Sequence, residues 1–179
     1  GVLLDGFYGD SAITVPVGQV PVRTAELLRV THESLERGIE QVRVGGHVSD
    51  IGHAVQKHVE ANGFAVVREF VGHGIGTELH EEPQIPNYGK PGRGSELKAG
   101  MVFAIEPMVT MGRPAVRVLG DNWTAVTRDG SLAAHFEHTV VVSEVGPEVL
   151  TQIAESDAIV NAGACGDAPV DESASSLRG

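Results

Sequence analysis

A single cysteine, Cys165, stands in the whole chain, so no intrachain disulfide can form and nothing calls for an oxidising compartment. Basic residues are scarce beside acidic ones: 13 Lys and Arg face 24 Asp and Glu, a net charge of −11. That balance presents no basic face to phosphates or anionic lipid and argues against direct nucleic-acid binding. No apolar run approaches the roughly 20 residues that cross a bilayer. The start lacks the basic region and hydrophobic block of a secretory signal. The expected setting is the cytoplasm, without membrane attachment. No internal repeat is present.

What remains is ordinary for one globular domain: 179 residues, 41% of them hydrophobic. Residues 2–5 and 8–15 alternate around Asp5-Gly6, a dipeptide suited to positive φ in a tight hairpin. After Pro21, TAELLRVTHESLERGIEQV carries Leu28, Leu35, Ile39 and Val42 at helical spacing. A second helix follows Gly45-Gly46, with Ile51, Ala54, Val55 and Val59 on its apolar face, a cap at Ser49 or Asp50, and a stop at Asn62-Gly63. FAVVREF reads as a strand. Residues 71–100 are rich in Gly and Pro and hold no sustained period, which predicts an irregular, functional segment. Strands are expected again at 101–106, 115–118, 124–128 and 133–144, with the domain closing near 150. The tail over 151–179 is small, polar and acidic, and predicts a weak helix followed by disorder.

Four side chains stand in settings that solvation alone does not explain. Asp10, Glu106 and Glu137 are placed in apolar strand patterns, and His73 among glycines in GHGIG. Burying three unpaired carboxylates is costly, and no Arg or Lys is close in sequence to offset them. A divalent cation held by carboxylate oxygens and one imidazole would neutralise them together, and a bridged pair of ions would make a hydrolytic centre. A lone strand carboxylate is more often solvated, and His32, His47, His53 and His58 read as ordinary helix or turn residues. Asp5 suits its turn, and Glu81 and Glu82 read as solvated or bonded to backbone.

The strings GHGIGTELHEEPQIPNY, GMVFAIEPMV and DNWTAVTRDGSLAAHFEHTVVV resemble type I methionine aminopeptidases, from Gly1 to about residue 145. The resemblance implies an α+β, pita-bread fold, here its C-terminal portion, with a curved antiparallel sheet covered by helices. It implies removal of the initiator methionine from nascent polypeptides. By the same resemblance Asp10, His73, Glu106 and Glu137 are ligands of two divalent ions (manganese, iron, cobalt or zinc). His80 contacts the substrate beside the scissile amide, and Glu106 helps deprotonate the attacking water. Trp123, with Leu79 and His135, borders the methionine pocket, although the family often has an aromatic at the Leu79 position and glutamine at His135. Glycines 72, 74 and 76 are expected to let backbone approach the substrate.

Residues 1–150 are thus expected to be a catalytic domain lacking its N-terminal part. The family's further ligand aspartate would fall two residues before Gly1, which leads to the expectation of one well-held ion and impaired activity. The implied partner is the N-terminal methionine of nascent chains, near the ribosome, with a monomeric enzyme when intact. Two other readings share the fold: an Xaa-Pro aminopeptidase or prolidase, which the HEEP and DNWTAVTRDGSLAAHFEHT strings disfavour, and a non-catalytic binding protein.

Overall fold

The computed structural model describes residues 1–152; Cys165 and the tail expected over 151–179, but for 151 and 152, lie outside the described residues. Two antiparallel-packed helices carry the core. Helix α1, Val22–Ile39, begins behind Pro21, whose φ of −56° suits a helix entry. Its buried stripe is Leu27, Val30, Thr31, Ser34, Leu35 and Gly38, whereas Leu28 and Ile39 are half-buried and Val42 is buried just beyond the helix. The small residues in that stripe admit helix α2, Val48–Ala61: a Cβ on Gly38 would lie 3.0 Å from Val55. Neither Ser49 nor Asp50 is the N-cap of α2. His47 occupies that position, and the Asp50 carboxylate reaches back to accept its backbone N–H at 2.8 Å.

The strands, all paired antiparallel, divide into four groups. Strands β1 (Val2–Leu4) and β2 (Phe7–Gly9) form the opening hairpin, with Asp5 and Gly6 at φ of 49° and 87° in its turn. A five-stranded sheet has the order β12-β11-β6-β4-β5, from β4 (Gly72–Gly74), β5 (Glu81–Ile85), β6 (Val102–Ile105), β11 (His138–Ser143) and β12 (Gly146–Val149). A three-stranded sheet joins β3 (Ala65–Val66), β7 (Met108–Thr110) and β10 (Ala133–His135), and β8 (Val116–Val118) pairs with β9 (Ala125–Thr127).

The helix pair covers both larger sheets. Leu35, Val48 and Ile51 pack with Phe103, Ile105 and Val140 of the five-stranded sheet. Leu27, Val30, Val55 and Val59 pack with Val66, Val109 and Ala134 of the three-stranded one. Each fully buried side chain of this kind contributes roughly 1.5–3 kcal/mol, so the helices clamp the two sheets at a fixed relative position.

Several expectations change here. The run 133–144 is two strands, β10 and β11, which belong to different sheets, and 101–106 continues through Pro107 into an unanticipated β7 in the same way. FAVVREF forms only β3, and β12 was also not anticipated. The second hairpin strand ends at Gly9, because from Asp10 the chain turns to the start of β11: Thr139 Oγ1 accepts from Asp10 N at 2.9 Å and donates to its carbonyl at 2.8 Å. Ala12 then bridges Glu137. His73 lies in a sheet, with β4 between β5 and β6. Its flanking glycines serve the sheet, since a Cβ on Gly72 would meet the Ala104 carbonyl and one on Gly74 the Glu82 carbonyl.

Candidate metal centre

Glu106 and Glu137 occupy the two places where the chain passes from one sheet to the other. Ile105 pairs with His138 on one side and Met108 with His135 on the other, so Glu106-Pro107 and Phe136-Glu137 face each other across the seam. A seam interrupts the ladder and turns both carboxylates to one side. Asp10 is held there by Thr139, and β4 delivers His73 from the neighbouring strand, with His73 opposite Ala104.

These four side chains converge. One donor atom each from Asp10, His73 and Glu137 lies within 4.8 Å of the others, and the same holds for Glu106, His135 and Glu137. His73 Nε2 is 3.5 Å from Glu106 Oε1. His73 Nδ1 sits 2.9 Å from the Gly74 carbonyl, which can only accept, so Nδ1 carries the proton and Nε2 presents a lone pair to the cluster. Asp10 Oδ1 accepts from Ser11 N at 3.0 Å. Burial pushes the Glu137 carboxyl up to about 7, with the Glu106 and Asp10 charges adding to the effect. Three carboxylates with no Arg or Lys ion-paired to them among the described residues, plus an oriented imidazole, form a donor set suited to divalent cations.

His80 is exposed but stands beside the cluster, its ring edge-on to that of His73 at 4.4 Å between centroids. Both rings, Glu106, Phe70 and Met108 line a cleft of about 440 Å³. Leu79 is half-buried next to His80. Trp123 is 89% exposed in the turn between β8 and β9, and it does not line that cleft. Glu81 turns to local backbone, accepting from Glu78 N at 3.0 Å.

Two supporting residues escaped sequence reasoning. Asn87, fully buried, donates from Nδ2 to the Glu106 carbonyl at 3.0 Å. Thr139, also buried, fixes the Asp10 backbone as described. The only available signal was a short polar side chain beside apolar neighbours, which many solvated positions share. His135, expected at the substrate pocket, points Nε2 at Glu106 Oε2, 3.5 Å away, and at Glu137 Oε2, 4.0 Å away.

Residues 1–144 match the description of metallopeptidase family M24. A protein of Clostridium perfringens named methionine aminopeptidase is 54% identical over 153 residues, 86% of this chain and 61% of that protein. Methionine aminopeptidase 1 of Bacillus subtilis is 52% identical, over 86% of this chain and 62% of its own length. The crystal structure of a methionine aminopeptidase from Thermotoga maritima superposes with a TM-score of 0.82 at 53% identity, covering 83% of this chain and 60% of that one. The chain thus spans about three fifths of the length of the relatives it matches, and the pita-bread, α+β expectation agrees with their architecture.

Proposed function

Because the chain belongs to metallopeptidase family M24, we propose that it carries the metal-ligating part of a methionine aminopeptidase, which removes the N-terminal methionine from polypeptides. The observation behind this reading is the convergence of Asp10, His73, Glu106 and Glu137 at the seam between two sheets. Residues 1–150 form the catalytic portion. The site acts in the cytoplasm on nascent chains near the ribosome, in an enzyme that is monomeric when whole.

Asp10, His73, Glu106 and Glu137 would hold one divalent ion firmly, of manganese, iron, cobalt or zinc, through carboxylate oxygens and His73 Nε2, and by themselves a second only weakly. When bound, such ions polarise the scissile carbonyl and make water acidic enough to attack it near neutral pH. Glu106 borders the cleft and is only 14% exposed, so its carboxylate can accept the proton of the attacking water and return it to the leaving amine. The Asn87 amide holds the Glu106 main chain while this proton moves. His80 faces the same cleft and can donate a hydrogen bond to the carbonyl oxygen as charge develops there. Its contact with His73 fixes the ring beside the cluster. Leu79, half-buried beside His80, is the contact we assign to the methionine side chain, whereas Trp123, exposed and outside the cleft, is not placed to share it.

Calorimetric titration with manganese, combined with a panel of Met-Ala-type and Xaa-Pro peptides, tests the reading. Uptake of manganese is expected, with any hydrolysis confined to the methionyl peptides. Cleavage of Xaa-Pro peptides alone would point to a prolidase-type enzyme, and a folded chain that takes up no metal would point to a binding protein.

A further inference from the structure

We infer that His135 is itself a metal ligand, supplying through Nε2 the nitrogen donor of a second cation position formed with Glu106 and Glu137; this rests on the metal-centre reading above. The backbone delivers the ring firmly. His135 N donates to Thr14 Oγ1 at 2.9 Å, that hydroxyl donates to the His135 carbonyl at 2.7 Å, and β10 pairs His135 with Met108. The side chain is 36% exposed, yet Nε2 is buried and has no hydrogen-bond partner. Buried polar atoms are partnered in the great majority of cases, so an orphan aimed at two carboxylates calls for an occupant.

The separations choose between two occupants. An imidazolium N–H donating directly to a carboxylate would sit at about 2.7–3.2 Å, shorter than the 3.5 and 4.0 Å observed. Two donors that share one ion, each about 2.0–2.2 Å from it, lie between about 3 and 4.2 Å apart depending on the angle between them. Both distances fall in that range, as does the 3.5 Å between His73 Nε2 and Glu106 Oε1. The two donor groups, Asp10-His73-Glu137 and Glu106-His135-Glu137, each hold one imidazole and two carboxylates, and they share Glu137. Two such positions side by side describe a pair of ions bridged by Glu137, with an imidazole on each flank.

The test uses the full 179-residue chain, stripped with chelator and titrated calorimetrically with manganese. The parent is expected to bind in two steps. His135→Ala and His135→Gln should weaken one step by at least about tenfold, the lower end of what is lost even when a group supporting a ligand is removed. Circular dichroism should show both variants folded. Pulsed electron paramagnetic resonance of manganese-loaded His73→Ala should retain coupling to a nitrogen, and His73→Ala/His135→Ala should lose it. A parent-like titration of His135→Ala overturns the inference. So does a folded His73→Ala chain that binds no manganese, or binds it without nitrogen coupling. If His73→Ala fails to fold, the His135→Ala titration decides alone. A parent that binds no manganese removes the metal-centre reading itself, which separates that failure from a failure of His135 alone.

Discussion

Glu137 is 5% exposed and shares its surroundings with Glu106 and Asp10, so burial first and these charges second push its carboxyl up to about 7. Without metal, the folded chain therefore holds a proton that the unfolded chain releases near the ordinary value of 4.5. The resulting contribution to stability is full below about 4.5 and is lost as pH rises through about 7. His138 acts with the opposite sign in an overlapping range. Burial and then the charge of His32 push its imidazole below 6.5, so its contribution is present above 6.5 and lost as pH falls through its lowered value. The informative measurement is a difference: melting temperatures of the parent and Glu137→Gln in chelator from pH 5 to 8. The parent should fall relative to the variant as pH rises, and parallel curves would show that Glu137 is not the buried, proton-holding carboxylate inferred here. That Glu137 differs from an ordinary strand glutamate was legible in HFEHTVVV, where apolar residues surround it. That Thr139 and Asn87 hold its neighbours was not, because a buried threonine or asparagine is written in the same letters as a solvated one.

At the level of elements, each glutamate ligand sits where one strand stops and another begins. The alternation in MVFAIEPMV and AAHFEHTVVV shows that strands are present, and both helices are legible from their periodicity and from the glycines that follow them. It does not show that each run is shared between two sheets, because a break of two residues leaves the apolar pattern intact while the partners change. Glycine misled in the other direction. GHG reads as loop, yet Gly72 and Gly74 are strand residues whose missing Cβ atoms let neighbouring backbones approach. Gly74→Ala should therefore be costly although its φ is ordinary. Its Cβ would collide with the Glu82 carbonyl and lie 3.0 Å from that of Glu81, forcing β5 off the register that shifts between His73 and Gly74. A loss of roughly 1–3 kcal/mol is expected in urea denaturation. Gly120→Ala, with nothing within 4 Å of its Cβ, should stay within about 0.5 kcal/mol. Equal effects in the two variants would mean that β5 yields to the added methyl, and that β4 does not hold His73 rigidly.

Across the whole molecule, the proposed ligands come from four separated parts of the chain and from the seam between its two larger sheets. A cation bound there ties these parts together, so its binding energy adds to global stability. At a free concentration of about 100 times Kd the gain is roughly 2.7 kcal/mol, which for a chain of this size raises the melting temperature by roughly 5–10 °C. The net charge of −11 adds a long-range attraction for cations, and salt weakens it beyond about 10 Å at 0.1 M. Glu137 belongs to both donor groups, so Glu137→Gln should have opposite effects in the two conditions. In chelator at pH 8 the variant should melt above the parent, because it removes a buried charge. In manganese it should melt below the parent, because it removes the ligand that both positions share. Thermal denaturation of the two chains with and without manganese reads both signs in one experiment. A crossing of their order locates the ions at Glu137, whereas an equal rise in both chains would place manganese elsewhere on this acidic surface.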